Sequence, residues 1–173
     1  MATHGSLKLR AHDPQDLEIL AAMLQDAIVR PADMSYQPRE KRFVMMVNRF
    51  RWELPQGDGD AQGSQPEPRD DARFEEAGKR RLFERVAAGV CFDRVRRVRT
   101  QNLDQRRRDE ILSLLTVDAE PGAITLMFSG GARIRLEVSL VACHMEDLGE
   151  PWPTPWRPAH DAAATGKDPE AAS

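Results

Sequence analysis

The sequence predicts an α+β fold: a largely antiparallel twisted sheet or partly open barrel of about seven strands, with one long N-terminal helix and one short C-terminal helix. Three observations carry this. A single long stretch, residues 13–30, repeats its apolar residues at helical spacing. Most other apolar residues alternate at the two-residue period of strands. Turn-forming stretches at 37–40 and 130–131 join such runs closely enough for hairpins.

The elements follow in order. Leu7 and Leu9 share one face of a short strand over residues 6–10. Asp13 then offers a helix N-cap, Pro14 suits the first helical position, and Asp16 stands where a capping box places an acid. Leu17, Leu20, Ala21, Leu24 and Ile28 form the stripe of that helix, and Pro31 marks its stop. Residues 34–36 pair with 42–52 as a hairpin. In the longer strand Phe43, Met45 and Val47 take one face, and Val44, Met46, Phe50 and Trp52 the other. Apolar residues on both faces predict a central, doubly covered strand that opens toward its end or bends at a bulge.

Residues 54–79 break the pattern. They are rich in Gly, Pro, Gln, Asp and Glu, with Phe74 the one large apolar residue after Leu54. Too little surface can be buried to offset the ordering entropy, so residues 55–79 are expected to be a disordered insert. The second half is β-rich. Val86, Ala88, Val90 and Phe92 alternate, with a break expected at Asp93 and Arg94; residues 111–117 read as a central strand. Ile124, Leu126 and Phe128 alternate up to Gly130-Gly131, and Ile134, Leu136 and Val138 after it, leaving Arg133, Arg135 and Glu137 on the solvent side. Residues 140–148 fit a short helix presenting Leu140, Val141, Met145 and Leu148, with Gly149 as its cap. The Pro/Trp-rich run 151–158 should be extended, and 161–173 a disordered tail. The chain is thus expected to be a single domain over 6–160.

Charge narrows the function classes. The formal net charge is -3 over 173 residues, which argues against a surface that coats nucleic acid or anionic lipid throughout. Yet residues 79–108 carry 11 Lys/Arg against Glu84, Asp93 and Asp104, a local balance of +8 that leaves -11 for the rest. No apolar run reaches the roughly 18 residues of a membrane span, and residues 1–10 lack a signal-peptide pattern. A cytoplasmic protein with Cys91 and Cys143 reduced is expected, with no membrane partner.

No motif names a chemistry. His4, His12, His144 and His160 are scattered, without HxH, HExxH or CxxC spacing. Cys143, His144 and Asp147 cluster locally, but a helix-end histidine beside a buried cysteine explains them, and Cys91 reads as packing. Ser129-Gly130-Gly131-Ala132 joins two strands and lacks a phosphate-loop lysine. No catalytic residue, metal ligand or cofactor is therefore assigned. What remains is charge beside aromatics: Asn48, Arg49, Arg51 and Trp52 on one strand, Arg94, Arg96, Arg97 and Arg99 on another, and Arg106 to Arg108 in a loop. If the two strands adjoined, their guanidiniums would line a face beside Phe50 and Trp52, as single-stranded nucleic acid requires. The bland alternative pairs the arginines with Glu53, Asp93 and Glu137 and sends both aromatics into the core.

The blocks Leu24-Gln25-Asp26-Ala27, Asn48-Arg49-Phe50-Arg51-Trp52-Glu53, Phe92-Asp93-Arg94-Val95, Ile134-Arg135-Leu136-Glu137-Val138 and Glu146-Asp147-Leu148-Gly149-Glu150-Pro151-Trp152 occur in this order. Together they resemble a family of short bacterial, mostly alphaproteobacterial proteins, domain-of-unknown-function family 2948. The resemblance covers residues 7–160 apart from the polar insert, which is longer than the family leads one to expect. It implies a bacterial, cytoplasmic protein and brings no catalytic residue or ligand with it. The expectation is a non-enzymatic binding or regulatory domain taking an anionic partner such as RNA on its basic strands. The rivals are a protein-interaction module using the Pro/Trp segment or an exposed strand edge, and an enzyme whose site is not recognisable from sequence. Oligomeric state is left open.

Overall fold

A computed structural model describes residues 6–53, 83–104 and 106–154. Its order is β1 (Lys8–Ala11), α1 (Pro14–Leu24), β2 (Ile28–Val29), β3 (Met34–Gln37), β4 (Arg42–Phe50), β5 (Phe83–Phe92), β6 (Val95–Gln101), β7 (Leu112–Glu120), β8 (Ala123–Phe128), β9 (Arg133–Val138) and β10 (Cys143–Thr154). The strands form one open sheet in the order β1-β10-β5-β4-β2-β7-β8-β9-β6, with β3 also paired to β4. Every pairing is antiparallel. The fold is α+β as expected, but with ten strands rather than seven.

Helix α1 begins as its sequence dictates. The Asp13 carboxylate accepts from the Asp16 amide at 2.7 Å, and Asp16 in turn accepts from the His12 amide at 3.1 Å. Its end differs from expectation: the helix stops at Leu24, and Asp26 takes a positive φ of 60°. Ile28 therefore belongs not to the helical stripe but to β2, opposite Asn48 of β4 and Ser113 of β7. β-branched Ile28 and Val29 fit a strand better than a last helical turn. The two-residue strand joins the two halves of the sheet.

The core fills the inner side of this sheet. Leu17, Leu20 and Leu24 of α1 pack with Met45 and Val47 of β4, Val90 and Phe92 of β5, Leu114 of β7, and Leu126, Ile134 and Leu136 of β8 and β9. The sheet curls enough that the start of β6 meets β3 and β4. There the Val95 amide donates to Lys41 O at 2.8 Å, and Tyr36 Oη donates to Arg96 O at 2.9 Å. The β8–β9 hairpin turns through Gly130 and Gly131, both at positive φ, as the sequence predicts.

Two further expectations are corrected. The C-terminal helix over 140–148 does not exist. Cys143–Thr154 is instead a long strand between β1 and β5, with Cys143, Met145 and Asp147 facing inward and a bulge between Leu148 and Trp152. Gly149, at φ 80°, serves that irregularity rather than a helix cap. Nor is β4 covered on both faces: Val44, Met46 and Asn48 line an open outer side, Met46 being 46% exposed, while the strand is most buried at its end. The first residues of the Pro/Trp run, Pro151 to Thr154, are part of β10. The disorder expected for 55–79 and 161–173 lies outside the described residues. No helix among the described residues is long and apolar enough to cross a membrane.

Candidate functional site

The end of β4 carries the first group of predicted site residues. Arg49 points to the inner side of the sheet and is 0% exposed. Its Nε and Nη2 donate to Asp147 Oδ1 and Oδ2, both at 2.7 Å, and its Nη1 and Nη2 donate to Glu53 Oε2 and Oε1 at 2.9 and 2.7 Å. Asp147 sits on β10 with β5 between it and Arg49, so one guanidinium ties three strands together. Burial alone would lower the Arg49 pKa, but hydrogen bonds to Asp147 and Glu53 raise it above its ordinary value. Burial likewise pushes the Glu53 carboxyl up, but the Arg49 hydrogen bond, a backbone hydrogen bond and the charges of Arg49 and Arg51 together outweigh it, leaving that pKa lowered. Asp147 Oδ2 also accepts from the Leu7 amide at 3.2 Å, extending the network to the first described residues.

Arg51 is also buried and pairs with Glu84. Trp52 packs on Phe50 with ring centroids 4.5 Å apart, and its Nε1 donates to Gln25 O at 3.1 Å, beside the end of α1. Asn48 is exposed on the outer side, where the Arg85 guanidinium reaches its carbonyl at 3.1 Å. This end of β4 is thus a set of structural ties.

The second group is arranged differently. Strand β6 ends the sheet, and the Arg94, Arg96, Arg97 and Arg99 side chains are all exposed. In register with β9, Arg97 lies opposite Glu137, Arg99 opposite Arg135 and Gln101 opposite Arg133, all on the outer side. Arg99 donates to Glu137 at 2.8 Å and Arg135 pairs with Glu120. Arg94, Arg96, Arg97 and Arg133 have no ion-pair partner among the described residues. A groove of about 410 Å³ runs across this face, lined by Arg99, Gln101, Glu120, Thr125, Arg133 and Arg135. Thr125 lines it too, its buried Oγ1 without a hydrogen-bond partner among the described residues. Arg106, Arg107 and Arg108 are exposed in the loop that follows β6.

The predicted residues therefore separate. β4 and β6 are not neighbours in the sheet, and Arg49 and Arg51 share no face with Arg94, Arg96, Arg97 and Arg99. Phe50 and Trp52 stand with the first set. What joins the second set is Arg133 and Arg135 of β9, whose outward position the alternation of Ile134, Leu136 and Val138 already signals.

A third grouping unites residues from separate parts of the sequence. His144 of β10 lies directly opposite Cys91 of β5 on the outer side, and Asp93 follows the end of β5. The Cys91 Sγ, a carboxylate oxygen of Asp93 and a ring nitrogen of His144 all fall within 4.8 Å of one another. Arg42 Nε donates to Asp93 Oδ1 at 2.9 Å, and His144 Nδ1 lies 3.5 Å from Asp93 Oδ2. Burial, reinforced by Asp93, pushes the Cys91 thiol up to about 11, so it is no thiolate nucleophile at neutral pH. Cys143 is on the other side of β10, its thiol also pushed up by burial, and both cysteines are free. The sheet separates Arg49 from His144 and Cys91, so no cleft unites these groups.

Among protein families, the model described as "Protein of unknown function (DUF2948)" matches residues 7–160. No curated protein and no solved structure matches the chain.

Proposed function

The chain belongs to the DUF2948 family, and from its own surface we propose a non-enzymatic binding domain that takes an anionic polymer such as RNA on the arginine face of β6 and β9. The observation that carries this reading is the row of exposed guanidiniums on the outer side, Arg97, Arg99, Arg133 and Arg135, of which Arg97 and Arg133 have no carboxylate partner among the described residues, with Arg94 and Arg96 exposed at the start of β6, in a chain of net charge -3. Unpaired arginines held on a strand keep their charge available for phosphates, and each phosphate neutralised releases a counterion. Arg99 and Arg135 each already bind a carboxylate oxygen, a place that a phosphate oxygen can take over.

None of the outward residues of β6, β8 and β9 is aromatic. Binding then follows backbone charge and does not read bases, since the stacking that usually accompanies single-strand recognition has no platform on this face. The test is fluorescence anisotropy with single-stranded RNA of mixed sequence at several salt concentrations. Binding at low ionic strength that weakens steeply with salt, and that falls about tenfold in an Arg96→Ala/Arg97→Ala/Arg99→Ala variant, supports the reading. Absence of salt-dependent binding to RNA or single-stranded DNA ends it.

One observation favours a second reading, a protein partner on the outer side of β4, β5 and β10. There Met46 and Leu148, both exposed, close over Gly89, where an added Cβ would stand 3.4 Å from Leu148 Cδ1. Capture of a partner that survives Arg96→Ala/Arg97→Ala/Arg99→Ala but is lost in Leu148→Glu would favour this reading over the first.

A further inference from the structure

We propose that Cys91, Asp93 and His144 form a binding site for a divalent transition-metal ion, with zinc as the best fit. The site arises from strand register. Cys91 and His144 are cross-strand partners whose side chains share the outer side of the sheet, and Asp93 is brought beside them as β5 ends and the chain turns at Arg94, φ 63°. The Asp93 amide donates to Ala142 O at 2.8 Å, which fixes the backbone of the carboxylate next to that of His144.

The donor set is chemically selective. One sulfur, one imidazole nitrogen and one carboxylate oxygen make a borderline-soft set suited to zinc or cobalt rather than magnesium or calcium. Three protein ligands leave a fourth position for water. Arg42, bonded to Asp93 Oδ1, orients the carboxylate so that Oδ2 faces His144, as outer partners of metal ligands commonly do. An Arg42–Asp93–His144 surface ion pair would need no thiol. Here Cys91 is 7% exposed and its Sγ lies 3.8 Å from Asp93 Oδ1, inside the same cluster.

Zinc bonds of ~2.0–2.3 Å imply donors roughly 3.3–3.8 Å apart in a tetrahedral site. The present spread, within 4.8 Å, closes by about an ångström through a rotamer adjustment of the half-exposed His144 ring. On binding, the ion takes the sulfur as thiolate and the thiol proton passes to solvent.

The test uses the whole 173-residue chain and Co²⁺, whose thiolate coordination is visible by absorption where zinc is silent. The expected result is one equivalent bound with a sulfur-to-cobalt charge-transfer band, displaced by zinc. Cys91→Ser should abolish the band, Cys143→Ser should leave it, and His144→Ala and Asp93→Asn should each weaken binding at least about tenfold. If Cys91→Ser does not fold, His144→Ala at its exposed position decides the matter. No band at millimolar Co²⁺, or a band indifferent to His144→Ala, or one lost with Cys143→Ser instead of Cys91→Ser, overturns the proposal.

Discussion

Strands β4 and β6 each carry closely spaced arginines, and the fold puts them to opposite uses. On β4 and just after it, Arg49 and Arg51 are buried among Asp147, Glu53 and Glu84. On β6, Arg96 and Arg97 stand in solvent without a carboxylate partner among the described residues, and Arg99 pairs with the half-buried Glu137. The difference lies in what occupies the same face one or two strands away. Where a carboxylate shares the buried face, the arginine becomes a crosslink; at the last strand of the sheet it remains available charge. A basic residue's neighbours in sequence say little about which fate it meets.

The largest effect should come from β4. Arg49→Ala leaves Asp147 and part of Glu53 buried without their cation and should cost about 3–5 kcal/mol in urea unfolding. The double change Arg49→Met/Asp147→Leu removes both charges together and should recover most of that loss. A cost under about 1 kcal/mol for Arg49→Ala would break the comparison, since the crosslink would then be dispensable. Next in size is the opposite behaviour of β6. Arg96→Ala/Arg97→Ala/Arg99→Ala should leave stability within about 0.5 kcal/mol while weakening RNA binding about tenfold.

A smaller effect should appear in acid. The Glu53 carboxyl, lowered by Arg49, is ionised in the folded protein at pH values where the unfolded chain already takes up a proton. It therefore adds stability above its unfolded pKa, and this is lost as pH falls through the folded value. Glu53→Gln should flatten the decline in melting temperature on the acid side and change nothing in its shape above neutrality. The smallest effect belongs to the exposed pair: Glu137→Gln should shift stability by about 0.2–1 kcal/mol at most. It should also strengthen RNA binding slightly by freeing Arg99, which a titration at fixed salt measures.

Much of the fold could be read in the sequence because local rules and packing agree there. The Asp13–Asp16 capping pair, the alternation through β5, and the β8–β9 hairpin at Gly130-Gly131 all state their structure within a few residues. The end of α1 could not be read, because Ile28 satisfies helical spacing as well as a strand. The C-terminal strand was hidden by Asp147. A charge at an inward position breaks the apolar alternation of Cys143 and Met145, and the arginine that makes that charge tolerable lies 98 positions earlier. For the site, the basic character of β6 was plain, as was the outward face of β9. The union of Cys91 with His144 was not: adjacency in sequence draws the eye to Cys143, whereas strand register sets His144 across from Cys91 on the opposite side of the sheet.

The most direct test of the central claim, that β6 rather than β4 carries the binding charge, is the slope of log affinity for single-stranded RNA against log salt. It should be measured in the unaltered chain, Arg96→Ala/Arg97→Ala/Arg99→Ala and Arg49→Met/Asp147→Leu. Each phosphate that an arginine neutralises on a single strand adds about 0.7 to the slope. Without its three arginines the β6 variant should therefore show a slope shallower by about 2, while the folded β4 variant keeps the original value. An unchanged slope in the β6 variant, or an equal flattening in the folded β4 variant, would contradict the account.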